Sequence, residues 1–177
     1  MGRKIDLNRF EATVLPYLSA AYNLARWLSR NPQDAEDIVQ ESYLRALRSF
    51  DGFRAGGDGR AWLLGIVRNT CFTWMRRNRP EAMTMAFDES RYTATAGFQD
   101  PEAVLLEKID SKVLHQAIED LPYEFRETLI LRELEGLSYK QIATVVGAPL
   151  GTVMSRLSRA RKELQRRLCE APQEAQP

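Results

Sequence analysis

Apolar side chains return every three or four residues along almost the whole chain, and no stretch shows the every-second-residue alternation of a half-buried strand. A chain patterned this way buries its apolar surface by laying helix against helix. The fold class expected is all-α. The pattern lapses once, from Arg79-Pro80 to Asp100-Pro101, where Thr, Ala, Met and acidic residues take over. This stretch reads as a flexible linker of about 20 residues, with an extended reach of roughly 70 Å. The organisation expected is two small helical domains, 8–79 and 101–169, joined by an acidic linker, 80–100, and followed by a polar tail, 170–177.

Within the first domain the spacing predicts a helix from about Phe10 to Ser29, with Phe10, Val14, Leu18, Tyr22 and Ala25 on its inner stripe. Asn31-Pro32 restarts the chain, because Asn is a good N-cap and Pro suits the first helical position. The next helix carries Ile38, Val39, Tyr43, Ala46, Leu47 and Phe50 inward and ends at Asp51-Gly52. Gly56, Gly57 and Gly59 then make a loop before a helix from about Arg60 to Arg77. Helices resume at Asp100-Pro101 and again at Pro122.

Charge narrows the function. The chain carries 25 Lys and Arg against 24 Asp and Glu, yet residues 1–80 hold 13 basic against 8 acidic residues and residues 81–107 hold 1 against 6. The near-neutral total is a cancellation between blocks. Arg60 to Arg79 contains five arginines and no carboxylate, and Gly151 to Arg167 contains six basic residues against Glu163 alone. Such clusters are either solvated helix faces or the footprint of a polyanion. Two of them flanking an acidic linker favour nucleic acid.

Several classes drop out. The longest apolar run, Ala61 to Val67, is far short of the roughly 18 residues of a membrane span. The start has no apolar signal-peptide core, so a soluble cytoplasmic protein is expected, with no membrane partner. Cys71 and Cys169 alone make neither a disulfide framework nor a four-ligand zinc site, and no metal or cofactor is expected.

The second domain carries a motif with its own internal logic. Ser138 and Gln141 have capping-box spacing at the start of a short helix, and Ile142, Ala143 and Val146 face inward. Gly147 supplies a tight turn, and a longer helix begins near Leu150 or Gly151. This reads as a helix-turn-helix, whose second helix enters the major groove. At about 100° per residue, Val153, Leu157, Ala160, Leu164 and Leu168 share one stripe. Thr152, Ser155, Arg159, Lys162 and Arg166 lie opposite. Arg159 suits a bidentate pair with guanine, Thr152 or Ser155 suits either base, and Arg156 and Lys162 suit phosphates. The bland alternative is a helical hairpin with a basic surface.

Two stripes of the first domain carry further chemistry. Asp34, Asp37 and Glu41, with Gln40 beside them, line one face of the second helix, which reads as a docking face for a basic protein partner. The helix dipole accounts for Asp34 alone but not for Glu41, more than two turns in. On the following helix Asn69, Phe72 and Arg76 point outward, with Trp62 and Thr73 at the margin. An aromatic among amides and arginines is a stacking platform for unpaired bases; the alternative is that Phe72 or Trp62 packs against the first helix.

Taken in order, these residues resemble a bacterial RNA polymerase sigma factor of the extracytoplasmic-function (ECF) type. The resemblance rests on Asp34-Ala35-Glu36-Asp37-Ile38-Val39-Gln40-Glu41, Phe50-Asp51-Gly52-Phe53-Arg54, and Ala61-Trp62-Leu63 through Arg68-Asn69. In the second domain it rests on Leu121-Pro122, Gly136-Leu137-Ser138-Tyr139, Gly151-Thr152-Val153 through Ser155-Arg156, and Arg159-Ala160-Arg161. It implies that the Asp34, Asp37, Gln40 and Glu41 face docks on the β′ clamp helices of core RNA polymerase. It implies that Arg45, the loop from Phe53 and Arg54 to Gly59, Trp62 and Asn69 open the −10 element, alongside Phe72 and Arg76. The second domain would read the −35 element through Thr152, Ser155, Arg156, Arg159 and Lys162 while resting on the β-flap, with the acidic linker threaded through the RNA-exit path. Promoter DNA and an anti-sigma factor are the other partners implied. Met154, Ser158, Thr73 and the Gly56-Gly57 pair depart from the family pattern, so promoter sequence does not transfer from a relative.

Two rival readings differ in what they require. A stand-alone helix-turn-helix regulator needs a dimerisation surface and a two-fold site, and no zipper or sensor domain is evident. An enzyme such as a nuclease needs converging carboxylates or histidines. The single histidine, His115, falls mid-helix, and the acids of 34–41 lie along a face instead of around a pocket.

Overall fold

The computed structural model describes residues 7–81 and 111–170, and among them every regular element is helical. The first domain comprises α1 (Leu7–Val14), α2 (Leu18–Ser29), α3 (Pro32–Ser49) and α4 (Gly59–Asn78). The second comprises α5 (Ser111–Glu119), α6 (Tyr123–Leu129), which runs on into a π-helical turn at Ile130–Leu134, α7 (Tyr139–Val146) and α8 (Leu150–Glu170). The linker from residue 82 on, the helix start expected at Asp100-Pro101 and the tail beyond Glu170 lie outside the described residues.

The single helix expected from Phe10 to Ser29 is two. Pro16 has no N–H to donate and its ring crowds the preceding turn, so the chain tightens into a 3₁₀ turn at Leu15–Tyr17. The break rotates the inner stripe. Phe10, Val14 and Ala25 are buried as expected, but Leu18 is 47% exposed and Tyr22 is half-buried.

The other boundaries follow their caps. Arg30 takes a left-handed conformation at φ 59° to end α2, and the Asn31 side chain accepts from the Asp34 N–H at 3.1 Å to open α3. Asp58 caps α4 by accepting from the Ala61 N–H at 2.9 Å. Gly59 is required where α4 passes α1, since a Cβ there would sit 2.9 Å from Thr13 Cγ2 and 3.0 Å from its carbonyl oxygen. Pro122 stands at the N-cap of α6, one position ahead of the first helical residue. The capping box at Ser138 and Gln141 forms as the spacing predicts, and Gly147 turns the chain at φ 66° between α7 and α8.

Leu24, Leu28, Ile38, Leu63, Leu64 and Val67 are fully buried at the centre of the first domain. Each such side chain contributes about 1.5–3 kcal/mol relative to leaving it in water. In the second domain Leu121, Phe125, Leu129 and Ala160 form a small cluster of their own. Leu131, Leu137, Ile142, Val145, Val146, Val153 and Leu157 belong instead to a core continuous with that of the first domain.

The two tethered domains of the sequence reading therefore pack on one another. The α7 helix lies along α4, where a Cβ on Gly65 would stand 3.9 Å from the Val145 Cα, in ordinary van der Waals contact. The polar margin of this seam is built from matched pairs. Arg68 meets Glu127 at 2.8 Å, Arg60 meets Glu135 at 2.8 Å, and Arg26 meets Glu119 at 3.4 Å. Arg126, buried in the second domain, reaches across to the Leu28 carbonyl at 3.4 Å. Burial lowers its guanidinium to a pKa of about 10, and the nearby Arg30 adds to the effect.

Candidate nucleic-acid interface

The loop between α3 and α4 is held open by aromatic rings. Phe50, buried at the end of α3, stacks on Phe53 at 5.8 Å between centroids, and Phe53 lies 4.8 Å from Trp62 of α4. Phe10 closes the cluster edge-on against Phe50 at 5.2 Å. Arg9 ties the loop to α1, donating to the Phe53 carbonyl at 3.2 Å with its guanidinium 5.2 Å from the Phe50 ring centroid. Gly56 adopts φ 79° in the turn that follows, and Arg54 is exposed at the turn's start. Phe53 and Trp62 are both half-buried, so the loop offers an apolar wall beside solvent.

Farther along α4, Asn69 and Arg76 are exposed. Phe72 is flanked by two guanidiniums, Arg68 at 5.3 Å and Arg76 at 5.8 Å from its centroid. Its edge meets Tyr123 of the second domain at 6.2 Å. The ring thus packs neither freely in water nor on the first helix, but on α6. Arg68, Glu127 and Tyr123 escaped the sequence reading. Glu127 had a signal: it sits four residues from both Tyr123 and Leu131, on an apolar stripe where a carboxylate needs a buried partner.

On α8, Val153, Leu157 and Ala160 are buried and Leu164 packs beside them, as the stripe arithmetic requires. Thr152, Ser155 and Arg159 are half-buried on the other side, and Lys162 is exposed. The Ser155 hydroxyl donates to the Thr152 carbonyl at 3.0 Å. Arg156, expected to face phosphates, turns inward instead: its side chain is 18% exposed and its Nη1 lies 3.9 Å from Glu127. The far end is less basic than the sequence suggests, because Arg166 and Arg167 pair with Glu163 at 2.6 and 2.8 Å and Arg161 pairs with Glu133 at 2.7 Å.

The acidic stripe of α3 divides in two. Asp34 is pinned by Arg79 at 2.9 Å and is largely covered, whereas Asp37 and Gln40 are exposed. Glu41 pairs with Arg45 at 2.8 Å, which joins a residue expected to dock on protein to one expected to touch DNA. The Arg45 hydrogen bond, against some burial, holds the Glu41 carboxyl below the usual carboxylate range. Beside Gln40, an open groove of about 540 Å³ runs between α2 and α3, lined by Leu18, Tyr22, Asn23, Glu36 and Val39. Leu18, Tyr22 and Val39 give it apolar surface, and Glu36 is the one acid of its lining.

Among the described residues no group of three or more His, Cys, Asp or Glu is placed to hold a metal ion, and no helix is long and apolar enough to cross a membrane. The His115 ring lies 4.3 Å from that of Trp27, tilted by 35°, and its Nε2 is 3.2 Å from Glu119, a packing role between the domains.

Two family models match the chain, sigma-70 region 2 over residues 13–81 and sigma-70 region 4 over residues 111–164. The RNA polymerase sigma-H factor of Pseudomonas aeruginosa is 33% identical over 169 residues, covering 92% of this chain and 88% of that one. The ECF RNA polymerase sigma-E factor of Haemophilus influenzae is 35% identical over 151 residues, covering 82% of this chain and 79% of that one. Among solved structures, the sigma factor RpoE in complex with the anti-sigma factor NepR, from Bartonella quintana, superposes with a TM-score of 0.70 at 29% identity, over 93% of this chain and 99% of that one. With two sigma regions in the right order and relatives alike over nearly their whole length, the chain belongs to the ECF group of RNA polymerase sigma factors.

Proposed function

We propose that the chain directs core RNA polymerase to promoters as an alternative sigma factor of a stress or envelope response, through three separate surfaces. Asp37, Gln40 and Glu41, with the neighbouring groove, dock on the β′ clamp helices, and Asp34 braces the end of that face through Arg79. The loop of Phe53 and Arg54, with Arg45, Trp62, Asn69, Phe72 and Arg76, engages the −10 strand as it leaves the duplex. Extruding a base costs a few kcal/mol of stacking, which the aromatic wall offsets. Thr152, Ser155 and Arg159 read the −35 element from the first turns of α8, while Lys162 and Arg156 hold phosphates. The protein contributes recognition and strand opening, and the polymerase does the catalysis.

One observation supports this reading above the rest. The same chain carries a helix-turn-helix with a polar outer face and, on a separate domain, an aromatic-walled loop flanked by arginines. The first suits duplex DNA and the second suits unpaired bases. Few activities need both. A partner of the anti-sigma class is extended to this chain from the RpoE–NepR complex. The test is transcription with purified core polymerase on genomic DNA, with transcript 5′ ends mapped. Initiation at sites sharing two elements about two duplex turns apart is the expected result; no initiation above core alone overturns the reading.

A further inference from the structure

Between α3 and α4 the chain is exposed at every residue from Arg54 to Asp58, and Gly56 and Gly57 stand in the middle of that stretch. Glycine gives a backbone more freedom than any other residue, so this segment does not fix its own shape. One internal bond tightens it, from the Gly57 N–H to the Arg54 carbonyl at 2.9 Å. Its two ends both meet α1. At the near end Arg9 donates to the Phe53 carbonyl at 3.2 Å, and its guanidinium lies 5.2 Å from the Phe50 ring centroid, within cation–π reach. At the far end Gly59 passes Thr13, where a Cβ would stand 2.9 Å from Thr13 Cγ2. Arg9 and Thr13 are neighbours on one face of α1, and the Thr13 hydroxyl donates to the Arg9 carbonyl at 2.7 Å. Phe10 seats the same turn of α1 by its edge contact with Phe50.

We propose that α1 splints this loop, and that Arg9 is the positioning residue through which it sets the base preference of the −10 surface. The proposal rests on the reading of the loop as that surface given above.

Its physical ground is the difference between stacking and polar contact. Every base has a π-face, so the wall of Phe53 and Trp62 holds an unpaired base with little regard to its identity. Preference comes from donors and acceptors held at fixed positions against the base edge. Beside this wall, such groups belong to the backbone of residues 54–58 and to the Arg54 side chain. A group on a wandering loop distinguishes bases poorly. On a loop clamped at both ends the ordering cost is met before the base arrives. The Phe53 carbonyl is where the clamp acts. Its peptide plane is shared with the Arg54 nitrogen, so holding the oxygen fixes the direction in which the loop leaves the wall. Arg9 needs no contact with DNA to do this.

The test uses holoenzyme assembled from core polymerase and the full chain, carrying Arg9, Arg9→Met or Arg9→Lys. Met keeps a long side chain without a donor, and Lys keeps a cationic donor. Each holoenzyme is titrated with fragments of a mapped promoter, unpaired over the −10 element and differing there at one base. The wild type is expected to prefer one base over the others. Arg9→Met should narrow that preference by about fivefold, roughly the worth of one hydrogen bond. The preferred base loses its loop contacts, whereas poorer bases, held by stacking alone, lose nothing. Arg9→Lys should retain part of the preference, and melting should barely move, since Arg9 is exposed. An equal loss on every base makes Arg9 a phosphate contact and overturns the proposal, as does a full preference in Arg9→Met. A wild type that binds all bases alike fails the reading of the loop itself; one whose preference Arg9→Met leaves whole fails only the splint.

Discussion

The carboxylate of Asp58 and the side-chain amide of Gln141 meet at 2.5 Å, and each is at the same moment a cap of its own helix. Asp58 Oδ1 accepts from the Ala61 N–H at the start of α4, while Gln141 Oε1 accepts from the Ser138 N–H at 2.8 Å at the start of α7. The beginnings of a helix in each domain are thereby fixed to one another.

Asp58 carries a pH dependence whose sign is set by these bonds. The Ala61 N–H, outweighing partial burial, and then Gln141 hold its carboxyl below the usual aspartate range. A depressed carboxyl adds stability that is complete above the ordinary value, roughly pH 4, and is lost as pH falls through the lower folded value. Thermal melts between pH 7 and pH 3 are expected to show a steeper acid loss for the wild type than for Asp58→Asn, which keeps a capping oxygen. Asp58→Ala, lacking the cap, is expected to cost about 0.5–2 kcal/mol at neutral pH. Parallel acid profiles for wild type and Asp58→Asn contradict the assignment.

Asp37→Ala combined with Glu41→Ala tests the docking face. Asp37 is exposed, and the Glu41–Arg45 pair is a half-exposed helix pair of the kind worth about 0.3–0.5 kcal/mol, so melting should barely move. Affinity for core polymerase is expected to fall about tenfold or more, or about 1.4 kcal/mol. Unchanged core affinity in a competition assay removes these residues from the interface.

Arg159→Ala is expected to relax the base preference at one −35 position and cost about 1–3 kcal/mol there. The measurement is holoenzyme binding to a panel of single-base promoter variants. An equal loss on every sequence makes Arg159 a phosphate contact.

Phe72→Ala should weaken strand opening by about 1–3 kcal/mol if a base stacks on the ring, while Phe72→Tyr should keep most of it. Permanganate reactivity of thymines in the −10 region reports the open fraction. Full reactivity in Phe72→Ala would show that the ring serves packing against Tyr123 alone.

Most of the helices were legible because their ends are written in single residues. Asn31-Pro32, Asp51-Gly52, Ser138 with Gln141, and Gly147 all act within one turn, and local geometry decides them. Pro16 was equally visible, but its weight against a strong apolar stripe was not, and Leu18 changed sides as a result. The docking of the domains was not legible. It depends on Gly65 meeting Val145 and on Arg68 meeting Glu127, residues 80 and 59 positions apart, and one sequence carries no sign of which distant partner each will find. The inward turn of Arg156 is hidden from the sequence for the same reason: its position on the edge of α8 is local, but the acid that it turns toward stands on another helix.

Central to the proposed function is that two weak DNA contacts become strong on the polymerase that spaces them, and promoter affinity with and without core enzyme tests this most directly. On a promoter fragment identified by start-site mapping, at physiological salt, the free chain should bind weakly and the chain on core at least about a hundredfold tighter. Sequence-specific nanomolar binding by the free chain would contradict it.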